Sequence, residues 1–267
     1  RIMPNVLSII TNYQKTNFSN SAQNFLVPVL KEGIQNKNKE LSNLEKKYQL
    51  NDSLELKDIS YSYNENKIFE NLNLIIRKNS YVGIKGESGS GKSTLIDIIC
   101  GLCKIHNGEI LLDGKKINIY NNLNWSSSVS YIQQSVYIFD TDIYKNICLE
   151  NDLSKINFDL ITKILGELKM EQFIGKKDIN LGELGSKISG GQAQRIGIAR
   201  ALYRNSSIII FDESFNNLDH ENYNQIMSIL KKLKTNKTII MVSHDEKDFS
   251  MCDEIYEIKD KKIFIRR

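Results

Sequence analysis

Hydrophobic positions follow two periods along this chain, and the two periods predict strands and helices in turn. Apolar runs or alternating apolar positions predict strands at 54–59, 72–77, 81–85, 109–112, 207–212 and 238–242, and a hairpin at 254–265. Helical spacing predicts helices at 4–17, 19–31 with a kink at Pro28, 94–99, 193–203 and 220–233. The polar stretch 32–52 is expected to be a helical connector. Strands that alternate with helices predict an α/β fold with a largely parallel sheet.

A glycine-rich stretch lies between the predicted strand at 81–85 and the predicted helix at 94–99. It consists of Gly86, Glu87, Ser88, Gly89, Ser90, Gly91, Lys92, Ser93 and Thr94. Its glycines allow consecutive backbone N–H groups to point at one anion, and a helix that starts near Lys92 adds the positive end of its dipole. The Lys92 ammonium suits the β- and γ-phosphates of a nucleotide, and the Ser93 hydroxyl suits Mg²⁺. This setting predicts a phosphate-binding loop.

Two carboxylates directly follow an apolar predicted strand later in the chain. Ile208 to Phe211 is continuously apolar, as in a strand that is covered on both faces, and Asp212 and Glu213 follow at its carboxyl end. Ligands of open α/β sheets bind at that edge. Asp212 is suited to hold Mg²⁺, and Glu213 is then free to orient the attacking water or accept its proton.

The order of these motifs resembles one known family. The stretch Ile188-Ser189-Gly190-Gly191-Gln192 precedes a helical run and then the Asp212-Glu213 strand, as in the ATP-binding-cassette (ABC) ATPases. The resemblance extends from about Leu54 to the end of the chain. It implies a P-loop NTPase cassette with a mainly parallel core sheet, an antiparallel β subdomain and a helical signature subdomain at about 135–190. Residues 1–50 are then expected to be the helical end of a membrane domain with its linker, and 54–267 the nucleotide-binding domain.

The resemblance also implies roles for single residues. Gln134 aligns with the glutamine that touches Mg²⁺ and the water; Gln133 stands where proline is common in the family and is the alternative. His244 follows an apolar strand and resembles the histidine that contacts the γ-phosphate. Tyr63 resembles the aromatic residue that stacks on adenine, and Tyr61 is expected to point to the opposite face, into the sheet.

A second anion site is expected at the signature motif. Ser189, Gly190, Gly191 and Gln192 lie at the head of a predicted helix, where a hydroxyl and backbone N–H groups are available. The resemblance implies that this site faces the γ-phosphate of ATP held by a second copy. A homodimer would then close head to tail around two ATP molecules. Leu218 and Asp219 match the family's loop that contacts the opposite subunit, whereas Asn216 and Asn217 depart from it.

Composition excludes several other classes. The net charge of +4 is too small to indicate nucleic-acid binding, so no nucleic-acid partner is expected. Four scattered cysteines do not make a disulfide framework, and the pair Cys100 and Cys103 has no second ligand pair for zinc. We interpret that pair as small apolar residues of the helix after the phosphate-binding loop. No apolar run reaches the about 18 to 20 residues that span a bilayer.

The sequence therefore predicts an ATPase that uses ATP and Mg²⁺ to power export or flipping of a substrate across a membrane. A leading helical segment and Gly182-Glu183 before the signature favour an exporter whose transmembrane domain lies on the same polypeptide, at the cytoplasmic face of a bacterial inner membrane. The start at Arg1 suggests a segment of a longer polypeptide. Similarity to lipid-linked oligosaccharide flippases is loose, and peptide, lipid or drug export fits almost as well. The alternatives are a soluble, non-transport ABC ATPase and a catalytically silent cassette.

Overall fold

Two β-sheets and the helices around them make up the part of the chain that the computed structural model describes, residues 47–150, 152–176, 179–216 and 218–266. The strands are β1 (Ser53–Tyr63), β2 (Asn66–Arg77), β3 (Tyr81–Gly86), β4 (Asn107–Leu112), β5 (Lys115–Lys116), β6 (Val129–Ile132), β7 (Ile208–Asp212), β8 (Thr238–Val242), β9 (Glu254–Lys259) and β10 (Lys262–Arg266). The α-helices are α1 (Lys92–Ile99), α2 (Leu123–Ser126), α3 (Ile143–Cys148), α4 (Phe158–Glu167), α5 (Gly190–Tyr203) and α6 (His220–Leu233).

The larger sheet has six strands in the order β10-β9-β3-β8-β7-β6, and every pair in it is parallel except the edge pair of β9 and β10. Its central strands are buried, as in strands that are covered on both faces: Ile208 to Phe211 of β7 and Thr238 to Val242 of β8 are all buried. This topology confirms the predicted α/β class with a mainly parallel core sheet.

The smaller sheet is antiparallel, with the order β2-β1-β4-β5. Its long strands β1 and β2 exceed the predicted runs, because the pairing continues through register shifts that break the hydrophobic alternation. One of these shifts lies at Asp58, whose φ of 51° is in the left-handed region.

The C-terminal hairpin joins the two sheets. The Glu70 N–H of β2 donates to the Lys261 carbonyl at 3.1 Å, and the Tyr256 hydroxyl of β9 donates to the Ile75 carbonyl of β2 at 3.1 Å. Arg77 pairs with Glu254 across the same seam. Because β9 is also the neighbour of β3, the smaller sheet is linked through β9 to the strand that precedes the phosphate-binding loop.

Helices follow β6, as the sequence indicates. Between β6 and β7 the described chain forms α3, α4 and α5, with short 3-10 turns at Leu153–Lys155, Glu171–Phe173 and Glu183–Gly185. The side chains of Asp142 and Asn157 cap α3 and α4. Among the described helices, we find none with the length and apolar composition needed to cross a membrane.

The predicted helices at 4–17 and 19–31 lie outside the described residues, as does most of the predicted connector at 32–52. Its described end, 47–52, is not helical, so the prediction is wrong there. The reason is the Asp113 carboxylate, which accepts the backbone N–H groups of Asn51, Asp52 and Ser53 at 2.8 to 3.2 Å. These hydrogen bonds bend the chain around the carboxylate at Asn51 and Asp52. Burial alone would raise the pKa of Asp113, but the hydrogen bonds outweigh it and lower the pKa.

Candidate nucleotide-binding site

A cleft of about 710 Å³ opens at the carboxyl ends of β3, β7 and β8. Gly86 ends β3, Asp212 ends β7 and His244 follows β8, so the parallel register brings three distant segments to one edge of the sheet. The cleft is lined by Ile68, Gly86, Glu87, Ser88, Gly89, Gly91, Lys92, Ser93, Thr94, Tyr131, Gln133, Gln134, Ser135, Asp212, Glu213 and His244. These lining residues include most of the predicted phosphate, metal and catalytic residues.

The glycine-rich loop forms a cradle in front of α1. Gly91 is the N-cap of α1 with a φ of 105°, and a Cβ there would lie 2.8 Å from the Ile68 side chain. Any other residue would therefore be both strained and blocked. The Lys92 ammonium donates to the carbonyls of Gly86 and Glu87 at 2.8 and 2.9 Å, which folds this side chain back along the loop. The buried Ser90 hydroxyl finds no hydrogen-bond partner among the described residues.

The Asp212 carboxylate lies among groups that differ in charge. The Tyr131 hydroxyl of β6 donates to its Oδ2 at 2.7 Å. Asp97 of α1 is close enough that, after burial, the Asp212 charge raises the pKa of Asp97. Burial, and then the hydrogen bond and charge of Asp212, raise the pKa of Tyr131, so this phenol is a donor at neutral pH. Asp212 thus has one phenol and one carboxyl as neighbours.

Glu213 is held in an unusual backbone conformation at the turn after β7. Its φ is 47°, and its N–H donates to the Val242 carbonyl of β8 at 2.8 Å. The left-handed conformation turns the chain sharply and costs an ordinary residue about 1 to 3 kcal/mol. Glu213 Oε1 is 3.6 Å from His244 Nδ1, and the Asn216 amide donates to Glu213 Oε2 at 3.4 Å. The carboxylate and the imidazole predicted to act together are therefore adjacent.

Both candidate glutamines line the cleft. Gln133 and Gln134 follow β6 with exposed side chains, and the Gln134 carbonyl accepts a hydrogen bond from the Gln194 amide of α5 at 2.8 Å. This bond ties the segment to the helix of the signature motif. The assignment of the metal-contacting role to Gln134, with Gln133 as the alternative, stays a prediction.

Comparisons with known proteins agree with this geometry. The ABC transporter family profile matches residues 69–216. The chain is 34% identical over 214 residues to an ATP-dependent lipid A-core flippase of Francisella novicida, and 31% identical over 230 residues to a probable ABC transporter ATP-binding/permease protein of Haemophilus influenzae. These matches cover 78% and 84% of this chain. They cover 36% and 41% of the two relatives, so the chain spans well under half of their length.

The chain belongs to the ABC transporter family.

A solved structure supports the fold of this ABC cassette. The structure of a bacterial Atm1-family ABC exporter with ATP bound superimposes with a TM-score of 0.71 at 25% identity, over 82% of this chain and 39% of that chain. The family match and this likeness confirm the predicted P-loop cassette fold. The cassette is an ATP-binding ATPase domain.

The signature motif of the cassette caps α5 and does not line the cleft described above. The Ser189 hydroxyl accepts the Gln192 N–H at 3.2 Å, while the Gln192 side-chain oxygen accepts the Ser189 N–H at 2.9 Å. This reciprocal pair is a capping box. A Cβ on Gly191 would lie 2.5 Å from Asn222 Oδ1, whereas one on Gly190 would meet open space. Gly191 is needed for packing within the chain, and Gly190 is not.

Tyr63 is not among the residues that line the cassette's cleft; it is 47% exposed, and its role in stacking on adenine stays a prediction. The expected direction of Tyr61 is wrong. The rings of Tyr61 and Tyr63 meet edge to face at 5.0 Å, because side chains two residues apart share one face of a strand. Tyr61 stacks in turn on His106 at 5.3 Å, and His106 Nδ1 accepts the Ser62 N–H at 3.2 Å.

Sequence reasoning missed several residues of the site. His106 supports the tyrosine pair from a loop more than 40 residues away in sequence, so no local pattern could reveal it. Tyr131 could have been found from the sequence, because it is a side chain with a polar tip near the carboxyl end of a buried strand, close to the candidate glutamines. The cysteine interpretation needs a small correction, since Cys100 follows the end of α1 and Cys103 lies beyond Gly101, although both pack against the core.

Proposed function

We propose that this cassette binds ATP with Mg²⁺ in the cleft, hydrolyses it with the help of Glu213 and His244, and powers transport through a membrane domain. The observation that carries the proposal is the convergence of Lys92, Asp212, Glu213 and His244 on one cleft at the carboxyl edge of the sheet. A P-loop by itself indicates only that a nucleotide binds. A carboxylate that is not needed as a metal ligand and that lies beside an imidazole indicates hydrolysis.

The loop suits a triphosphate. Gly91 lacks a side chain, so the loop packs closely against Ile68 and Phe69, and a Cβ on Gly89 would meet no atom within 4 Å. The Ser90 hydroxyl has no partner within the described part of the protein; a buried polar atom without a partner costs free energy, so an added acceptor or donor would be stabilising. The Lys92 ammonium can exchange its two carbonyl acceptors for phosphate oxygens.

The donor set also suits Mg²⁺. Ser93, Gln134 and Asp212 all line the cleft, and they offer hydroxyl, amide and carboxylate oxygens, which are the ligands of a hard cation. Bound there, Mg²⁺ would neutralise charge on the β- and γ-phosphates. Glu213 would then orient the attacking water and take its proton, and the adjacent His244 would contact the γ-phosphate.

The test of hydrolysis is Glu213→Gln. We expect this variant to bind ATP with near wild-type affinity and to release phosphate about 10² to 10⁴ times more slowly, the range that general-base help supplies. The matched control is Glu171→Gln, on an exposed 3-10 turn, which should hydrolyse ATP like the wild type. Equal phosphate release by wild type and Glu213→Gln would favour the silent cassette.

We also propose that two copies close head to tail around two ATP molecules. The support is that Ser189, Gly190 and Gly191 form a second helix head that does not line the chain's own cleft. Light scattering of Glu213→Gln with Mg²⁺ and ATP should give twice the monomer mass, and ADP should give the monomer. A monomer under both conditions would contradict the head-to-tail pair.

The transport role follows from the relatives, which are named as flippase and ATP-binding/permease proteins. We propose that residues 54–267 are the nucleotide-binding domain, that residues 1–50 link it to a transmembrane domain on the same polypeptide, and that it works at the cytoplasmic face of a bacterial inner membrane. In vesicles containing the cassette with its transmembrane domain, a labelled lipid should change leaflets with ATP and not with Glu213→Gln. ATP hydrolysis that no membrane substrate changes would favour a non-transport ATPase.

A further inference from the structure

Tyr131 contacts the cleft without any role in the function proposed above. It is the third residue of β6, which pairs in parallel with β7 so that Tyr131 lies opposite Ile210. From this position its hydroxyl donates to Asp212 Oδ2 at 2.7 Å. The Tyr131 ring lines the cleft and is 37% exposed, so this hydrogen bond lies at the mouth of the nucleotide site and not in the core.

The Asp212 carboxylate needs such a partner. It ends β7, and the carboxyl of Asp97 on α1 lies close enough to act on it as a like charge. Like charges favour rotation of the Asp212 side chain away from α1, and α1 is the helix that carries Lys92 and Ser93. A donor on the opposite strand fixes one carboxylate oxygen, and the other oxygen stays available as a ligand.

We propose that Tyr131 is a positioning residue that holds the Asp212 carboxylate in the orientation in which it binds a divalent cation. The proposal rests on the function proposed above, in which Asp212 helps to hold Mg²⁺. Tyr131 touches neither the cation nor the reacting atoms; it acts through Asp212. Partners of this kind, which orient a metal ligand from behind, typically change metal affinity by about 10- to 100-fold when they are removed.

The test is Tyr131→Phe, which removes the hydroxyl and keeps the ring. The matched control is Tyr137→Phe, the same change on a tyrosine that is 58% exposed and lies outside the cleft. Mn²⁺ replaces Mg²⁺ as the probe, because the electron paramagnetic resonance signal of free Mn²⁺ reports binding without any turnover. Each variant of the full chain is held in excess over the non-hydrolysable analogue AMP-PNP in metal-free buffer, and Mn²⁺ is titrated in.

We expect Tyr131→Phe to weaken Mn²⁺ binding about 10-fold. The affinity for AMP-PNP without metal and the thermal unfolding midpoint should stay at the wild-type values, and Tyr137→Phe should match the wild type throughout. Mn²⁺ binding by Tyr131→Phe that equals or exceeds the wild-type affinity would overturn the proposal. A lower unfolding midpoint together with weaker AMP-PNP binding without metal would also overturn it, since Tyr131 would then support the fold in general.

A third variant separates this proposal from the function on which it rests. Asp212→Asn should weaken Mn²⁺ binding more than Tyr131→Phe does. If Asp212→Asn leaves Mn²⁺ binding unchanged, the metal role of Asp212 fails, and the positioning role fails with it. If Asp212→Asn weakens binding and Tyr131→Phe does not, the metal role of Asp212 stands and only the positioning role fails.

Discussion

The heads of α1 and α5 present backbone N–H groups in two different ways. The head of α1 begins at Gly91, which offers no side-chain cap, and the Ser90 hydroxyl beside it is buried without a partner in the described structure. The head of α5 begins at Ser189, and its capping box pairs the N–H groups of Ser189 and Gln192. Both are helix N-termini that favour an anion, but only the head of α5 pairs some of its N–H groups with side chains of its own.

This difference teaches how two anion sites on one chain can differ in strength. A site whose backbone donors are unpaired gains more from the ligand, because only the two hydrogen bonds of Lys92 to loop carbonyls are given up. A capped head is stable without ligand and adds a weaker contact. The first head therefore suits the primary binding of a nucleotide, and the second suits a contact that completes the site when two copies meet.

Loss of the Lys92 ammonium should have the largest effect on the first head. Lys92→Ala removes two hydrogen bonds from a charged donor to phosphate oxygens, each worth about 1.5 to 3 kcal/mol, so ATP affinity should fall at least about 100-fold. Isothermal titration of ATP measures this, with Lys104→Ala, an exposed lysine after α1, as the control. Comparable losses in the two variants would contradict the placement of the phosphates at this head.

Substitutions at the two glycines of the α5 head should distinguish an effect on dimer assembly from an effect on folding. In Gly190→Ala the new Cβ meets open space within the chain, so stability should be unchanged, while the methyl group narrows the approach of the partner's phosphate and costs about 1 to 3 kcal/mol of dimer affinity. Light scattering with Mg²⁺-ATP over a range of concentrations measures that affinity.

Gly191→Ala provides the contrasting variant. Its Cβ would lie 2.5 Å from Asn222 Oδ1, so it should lower the free energy of unfolding even without nucleotide. If instead Gly190→Ala destabilises the isolated chain and Gly191→Ala does not, the distinction drawn between the two glycines is wrong.

The cap itself should have the smallest effect. Ser189→Ala removes the side chain that accepts the Gln192 N–H and should cost about 1 kcal/mol of folding free energy, measured by urea unfolding without nucleotide. The control is Ser228→Ala, an exposed serine within α6, which should stay within about 0.5 kcal/mol of the wild type. If the two variants unfold alike, the capping box does not stabilise the head, and the contrast with α1 disappears.

Much of the fold was predictable because local signals agree with tertiary structure. The helix predicted at 220–233 and the strand predicted at 238–242 occur with those bounds, since Asp219 supplies an N-cap and the strand is buried along its whole length. The non-helical path at 47–52 was not predictable, because it depends on the Asp113 carboxylate some 60 residues further along. Long-range hydrogen bonds of this kind leave no trace in a local pattern.

The candidate site shows the same division. The motifs predicted which residues line the cleft, because each motif sits at the end of a strand or the start of a helix. The bond from Tyr131 to Asp212 depends on the register between β6 and β7, and the contact from Asn216 to Glu213 depends on the turn after β7, so neither could be read from the sequence. The error at Tyr61 has a simpler cause: it assigned opposite faces to residues that strand geometry places on the same face.

The hairpin seam has a mechanical consequence for the cassette. Since Tyr256, Glu254 and the Lys261 carbonyl fasten β2 to the strand beside β3, the surface that carries Tyr63 and the loop that carries Lys92 should tilt as a single block. Any hinge that lets the cassette close on its nucleotide then has to be sought on the other flank, where the segment after β6 runs toward α5. Two labels placed on opposite sides of the seam should keep their separation through a catalytic cycle. Two labels placed before and after Gln134 in the sequence should change theirs.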